Sequence, residues 1–257
     1  MDRIQISALN QFMAQAETLG LKLPKAVGEG HARMEKVAKG IESIPAHNLT
    51  GVASAVADAL SRDADPTTDP EVLRAIAHSV ITGTGIAVNV EAASYSQLRD
   101  LYEQFQDEIV DELRKPFDLA AAALVLAHER IGDLDLKDDS KAILAKGGDI
   151  AKVWATAVEA SKAIENVVLA WVSLGQFIKE ELLDRRWLNL RLVNPSAEIF
   201  DANDWSRVAV TPWGAVRAGV ELSLPTRSEY VERRAAITNQ RAELEAESRR
   251  EPKRRPI

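Results

Sequence analysis

The chain contains no cysteine. Disulfides, thiolate nucleophiles and cysteine-ligated zinc are therefore excluded. Aromatic residues make up only 5% of the 257 residues. With alanine abundant, that composition favours helices in close approach over a thick aromatic core. Long hydrophobic runs are missing as well. Between Glu165 and Lys179 lie 13 uncharged residues, "NVVLAWVSLGQFI", short of the roughly 20 that a spanning helix needs. Asn166, Ser173 and Gln176 interrupt even these, so no membrane partner is expected.

Motifs that carry chemistry are absent too. "DLDLKDDSKAIL" places Asp133 and Asp135 where a calcium loop begins. It then has Asp138 in place of the turn glycine and Leu144 in place of the closing glutamate. "GTGIAV" at 83–88 holds two glycines of a dinucleotide fingerprint, but Val88 stands where a third small residue belongs. "AKGGDIAK" lacks the Lys-Ser/Thr ending of a phosphate loop. The histidines at 31, 47, 78 and 128 have no ligand spacing among themselves. Glu108 and Glu112 share a helix turn, as acid–base partners can, but carboxylates so placed are ordinarily a solvated face. No G-x-S-x-G elbow occurs. The expectation is a chain with no cofactor, no metal, no small-molecule ligand and no catalysis.

The hydrophobic and charged fractions, 46% and 28%, are those of a soluble globular protein. A net charge of −7 argues mildly against nucleic-acid binding over the whole surface. The opening "MDRIQISALNQFMAQAETLG" reads as an amphipathic helix with Ile6, Leu9, Met13 and Ala16 on one face, not as a secretory signal. Residence in the cytoplasm, or in a particle assembled there, is the expectation.

The strongest pattern lies in residues 153–178. Val153, Ala157, Ala160, Ile164, Val167, Trp171, Leu174 and Ile178 step alternately by four and three. That 3.5-residue period keeps one narrow seam facing a partner helix. With the glycines of "KGGD" before it and Asp149 as N-cap, a helix of about 150–184 is expected. A second long helix is expected over 91–115, with Tyr95, Leu98, Tyr102, Phe105, Ile109 and Leu113 along its apolar stripe. Pro116 should end or kink it, and "FDLAAAALVLAHERIG" should follow as a buried helix ending at Gly132. "SRDADPTTDP" at 61–70 reads as a linker, with Pro70 in the first turn of the next helix.

After residue 186 the period becomes two. Leu188, Leu190 and Leu192 alternate with polar residues, as do Val216, Ala218, Val220, Leu222 and Leu224. These predict a small antiparallel sheet turning at "TPWG". Thr226 and Glu229 then form a capping box opening a charged helix.

The fold class read from the sequence is mainly α, a multi-helix body with long heptad-patterned helices and a small antiparallel β module near the C-terminus. Its divisions are 1–62, an N-terminal helical segment; 71–186, the central helical body; 187–225, the β module; and 226–257, a charged helix and basic tail. The expected role is a non-catalytic structural or assembly protein in a homo-oligomer or larger complex. A viral capsid or tail component, or a scaffold, fits that outline. Ile164, Val167, Trp171, Leu174, Ile178, Trp205 and Trp213 are its candidate partner-interface residues. The basic tail offers a second reading, nucleic-acid association, with Arg249, Arg250, Lys253, Arg254 and Arg255 as candidate polyanion ligands. An enzyme whose site is built from scattered residues is the third.

Overall fold

The computed structural model describes residues 3–44, 49–83, 85–178 and 185–250. These form eleven α-helices: α1 Arg3–Thr18, α2 Lys25–Glu42, α3 Leu49–Ser61, α4 Pro70–Gly83, α5 Ile86–Gln104, α6 Gln106–Ile131, α7 Ser140–Ala145, α8 Gly148–Phe177, α9 Ala197–Ala202, α10 Pro212–Arg217 and α11 Arg227–Arg250. A 3-10 helix, Arg185–Arg191, follows α8 in the described chain. No helix among the described residues is long and apolar enough to cross a membrane. Compactness divides the chain into two units. One unit is Pro24–Gln104; the other joins α1 to everything from Phe105 onward.

In the second unit, α8 packs against both α6 and α1. The Gln5 amide donates to the Phe177 carbonyl at 3.3 Å, so α1 runs antiparallel to α8. α1 buries Ala8, Leu9, Phe12 and Ala16, a face shifted slightly from the expected one; Ile6 and Met13 are only half-buried. The seam of α8 lies inside the unit. Val153 is half-buried and the seven seam residues from Ala157 to Ile178 are buried. Asp149 falls in the first turn of α8, whose N-cap is Gly147. Residues 179–184, the far end of the expected helix, lie outside the described residues.

The expected 91–115 helix is divided. Phe105, at φ −103° and ψ 18°, separates α5 from α6. Pro116 does not end its helix, because α6 continues through it to Ile131. Leu113, Phe117 and Ala120 are buried on either side of the proline. That burial holds the helix together where the missing N–H leaves the Glu112 carbonyl without its usual donor.

The expected β module is corrected. Among the described residues there is no strand, only an isolated antiparallel bridge between Val193 and Leu222. Residues 185–191 form a 3-10 helix instead, and burial there does not alternate: Trp187, Asn189, Leu190, Leu192 and Val193 are all buried. "TPWG" starts α10 instead of turning a hairpin. Thr211 Oγ1 accepts from the Gly214 N–H at 3.0 Å and Pro212 takes the first helical position, a conventional start. Gly219, at φ +68°, ends it. The capping box of α11 forms as expected: the Thr226 N–H donates to Glu229 Oε2 at 2.7 Å, and the Glu229 N–H to Thr226 Oγ1 at 3.3 Å.

In the Pro24–Gln104 unit, α2 packs on α5 and α4 on α3 and α5. Gly30 permits the first approach, since a Cβ there would come within 2.7 Å of a Leu101 methyl. Asp69 and Pro70 start α4. The carboxylate accepts from the N–H groups of Glu71 and Val72 at 2.9 and 3.3 Å, and also takes Arg62 at 3.3 Å.

Candidate interaction surfaces

The seven candidate interface residues are interior. Ile164, Val167, Trp171, Leu174, Ile178, Trp205 and Trp213 are each at most 7% exposed within the single chain. Their apolar area is spent on the chain's own packing. The tryptophans serve as bolts between segments, each indole N–H needing a buried acceptor. Trp171 donates to the Pro225 carbonyl at 2.8 Å and leans on Tyr230. Trp213 donates to the Leu134 carbonyl at 2.9 Å and meets His128 edge-on. Trp154 donates to the Leu136 carbonyl at 2.8 Å.

Polar side chains on the C-terminal segments perform the same service, a role that no sequence pattern signals. The Arg233 guanidinium donates to the carbonyls of Leu190, Val193 and Ser223 at 2.9, 3.3 and 3.0 Å, and to Ser223 Oγ at 2.7 Å. Burial pushes its pKa down from the usual arginine range. Arg114 of α6 donates to the Leu224 carbonyl at 2.9 Å and pairs with Glu229 of the capping box. The buried Asn189 amide donates to the carbonyls of Trp205 and Val208, the latter at 2.7 Å, and accepts from the Val210 N–H at 2.9 Å. Arg241 pairs with Asp201, and Arg234 and Arg241 lie over the Trp187 ring. Every basic residue from 185 to 250 is arginine. The flat five-donor fork suits carbonyl clamping and ring stacking better than an ammonium does.

The calcium-like loop turns its carboxylates onto its own backbone. Asp135 accepts from the N–H groups of Lys137 and Asp138 at 2.8 and 3.0 Å, and Asp139 from that of Asp135 at 2.7 Å. Those backbone bonds, more than the neighbouring Arg217, hold the Asp135 pKa below the usual carboxylate range. Among the described residues, no cluster of three potential metal ligands occurs.

Grooves open between helices in both units. That between α2 and α5 holds about 440 Å³, with Met34, Val37 and Leu101 on its apolar lining and Arg33 and Asp100 among its polar groups. That between α6 and α8, about 460 Å³, is lined by Ala123, Leu126 and Val153, with Arg130, Asp149 and Lys152 beside them.

Exposed large apolar side chains occur in both units, and relative to length they are more frequent in the Pro24–Gln104 unit. Leu60 on α3, Leu73, Ile76 and Val80 on α4, and Ile86, Val88 and Val90 on α5 are all exposed. Against them, the buried apolar residues described in that unit are Val27, Ala59, Val72, Ala75, Leu98 and Tyr102. Sequence reasoning passed over this surface because its signal was a mild one: residues 75–90 carry no charged side chain, yet their apolar residues do not repeat along one long helix.

Charge is distributed unevenly. Residues 185–257 hold 14 Lys and Arg against 10 Asp and Glu, while residues 1–184 hold 18 against 29. Arg249 and Arg250 end α11; Lys253, Arg254 and Arg255 lie outside the described residues. The chain matches no protein-family model, no curated protein and no solved structure.

Proposed function

We propose that this chain is a non-catalytic structural or assembly protein, working through helix–helix contacts in a homo-oligomer or larger complex. One observation carries the reading: the uncovered apolar surface of α3, α4 and α5, set against a core of six buried apolar side chains in the same unit. Helical bodies of about 80 residues hold a small margin even when well packed, and apolar patches left open in this way mark sites of association. Light scattering on size-exclusion fractions tests it. A mass above the 28.1 kDa of one chain, rising with concentration, is expected. A single 28.1 kDa species at every concentration would overturn the proposal.

The uneven charge favours one second reading, association with nucleic acid through the tail. Its residues are Arg249, Arg250, Lys253, Arg254 and Arg255, since Arg217, Arg233 and Arg241 already hold partners within the chain. Deleting residues 249–257 should then lower affinity and flatten its salt dependence. Each phosphate that the shortened chain no longer neutralises should reduce the slope by about 0.7 to 0.9.

A further inference from the structure

From Asp2 onward, the chain crosses between its two units at Leu23–Pro24 and at Gln104–Phe105. The Pro24–Gln104 unit is thus an insertion between α1 and α6. Its entry helix α2 and its exit helix α5 pack on one another, joined by the 2.7 Å hydrogen bond of His31 and Tyr102. His31 stands six residues after the start of α2, and Tyr102 two before the end of α5. At about 1.5 Å per residue, each end of the insertion lies within roughly 10 Å of that bond along its helix. The chain therefore leaves and re-enters at neighbouring points.

Neither crossing lies inside a helix. Phe105 separates α5 from α6 at φ −103° and ψ 18°. Pro24 precedes α2 at φ −52° and ψ 140°, and a proline has no N–H to give. Unwinding of α2 or α5 thus has no continuous helix along which to spread. The units are also unequally filled. Of the described side chains that are large and fully buried, Leu98 and Tyr102 belong to the insertion, while Phe12, Phe117, Phe177 and Phe200 are among those of the rest. Buried apolar area supplies most of the stability of a fold, so the insertion is the weaker unit.

We infer that the Pro24–Gln104 unit opens and recloses as a separate cooperative step while the rest of the chain stays folded. During that step α1 remains held on α8 by its buried Leu9 and Phe12 and by the 3.3 Å bond from Gln5 to the Phe177 carbonyl. The open insertion is then a loop of about 80 residues between neighbouring points, and loop-closure entropy grows only slowly with length. Opening of one contiguous unit within a larger folded body is a recognised form of sub-global unfolding. It bares the helix faces now closed on Leu98 and Tyr102 without loosening the remainder.

The distribution of tryptophan separates the two units optically. All five, at 154, 171, 187, 205 and 213, lie outside the insertion, whereas α2 to α5 supply about a third of the described helical residues. In urea, the full chain should first lose about a third of its far-ultraviolet ellipticity with tryptophan emission unchanged, and the remainder with the emission at higher urea. Tyr102→Phe, which removes the bond to His31, should lower the first midpoint and leave the second in place. Should that variant fail to close the insertion, it should lack the same third of the ellipticity from the start, again with unchanged emission. Native-state hydrogen exchange should give the amides of α2 and α5 one opening free energy below that of α6 and α8. Coincident ellipticity and emission curves would overturn the inference. So would an equal shift of both midpoints in Tyr102→Phe, or exchange of α6 and α8 together with α2 and α5.

Discussion

The imidazole of His31 and the phenol of Tyr102 share a 2.7 Å hydrogen bond that ties α2 to α5. Tyr102 is fully buried and His31 half-buried. Burial lowers the histidine from its ordinary 6.5 and raises the phenol well above its ordinary 10. Because the folded-state value of His31 lies below the unfolded one, the unfolded chain takes up the proton more readily. The His31 contribution to stability is therefore complete above its ordinary 6.5 and drains away as the pH falls toward the lowered value. Thermal unfolding from about pH 7.5 to about pH 5.5 should show a loss of stability that His31→Gln, which cannot titrate, largely removes. Parallel profiles for the two proteins would refute the assignment.

Arg233 satisfies three backbone carbonyls at once. Arg233→Met keeps much of the stem and leaves those acceptors without their donor, at a cost of about 2–4 kcal/mol. Arg233→Lys should recover only part of this, because one ammonium cannot reproduce the fork. Urea midpoints of the three proteins should fall in the order arginine, lysine, methionine.

Asn189 gives both amide protons to carbonyls and takes one N–H in return. Asn189→Asp, nearly the same in shape, would set a carboxylate against the Trp205 and Val208 carbonyls. The variant should be destabilised at neutral pH, by more than the roughly 1 kcal/mol of one ordinary hydrogen bond. Part of the loss should return on acidification as the carboxyl gains a proton, a gain measured against wild type at each pH. A deficit independent of pH would place the cause elsewhere.

Pro116 sits inside α6 with no N–H to offer the preceding turn. Pro116→Ala restores that donor and removes the ring. Part of the gain is offset by the freer unfolded chain. The net effect should be stabilising by about 1–2 kcal/mol, given the roughly 3 kcal/mol that proline costs in a helix interior. A lower denaturation midpoint in the variant would show that α6 depends on the shape the proline imposes.

The 3.5-residue period of Val153 to Ile178 was legible because a helix that buries one stripe must repeat it, and the stripe is buried from Ala157 to Ile178. The capping pair Thr226 and Glu229 and the place of Pro70 in the first turn of α4 were legible for a similar reason, since each is settled within four residues. Alternation at Leu188, Leu190 and Leu192 misled. So short a run sets no backbone conformation by its pattern alone, and the choice falls to long-range partners such as Arg233 and Tyr230. Those partners stand 43 residues from the carbonyls of Leu190 and Trp187 that they bond, and leave no local trace. The break at Phe105 was equally hidden, since its neighbours continue an unbroken apolar stripe. For the open apolar side chains of α3, α4 and α5, the sequence showed the residues but not that the fold leaves them outside.

α1 ends at Thr18 and packs on α8, which begins only at Gly148, with the whole Pro24–Gln104 unit between them in the chain. On a ribosome adding about 5–20 residues per second, α1 waits roughly 8–32 s for α8 to be completed. Throughout that interval Leu9 and Phe12 have nothing of the finished α8 to rest on. The nascent chain is thus open to chaperones, and to its neighbours on the same message, for longer than a chain of consecutive hairpins would be. Moving α1 to follow α11 by circular permutation would shorten that exposure.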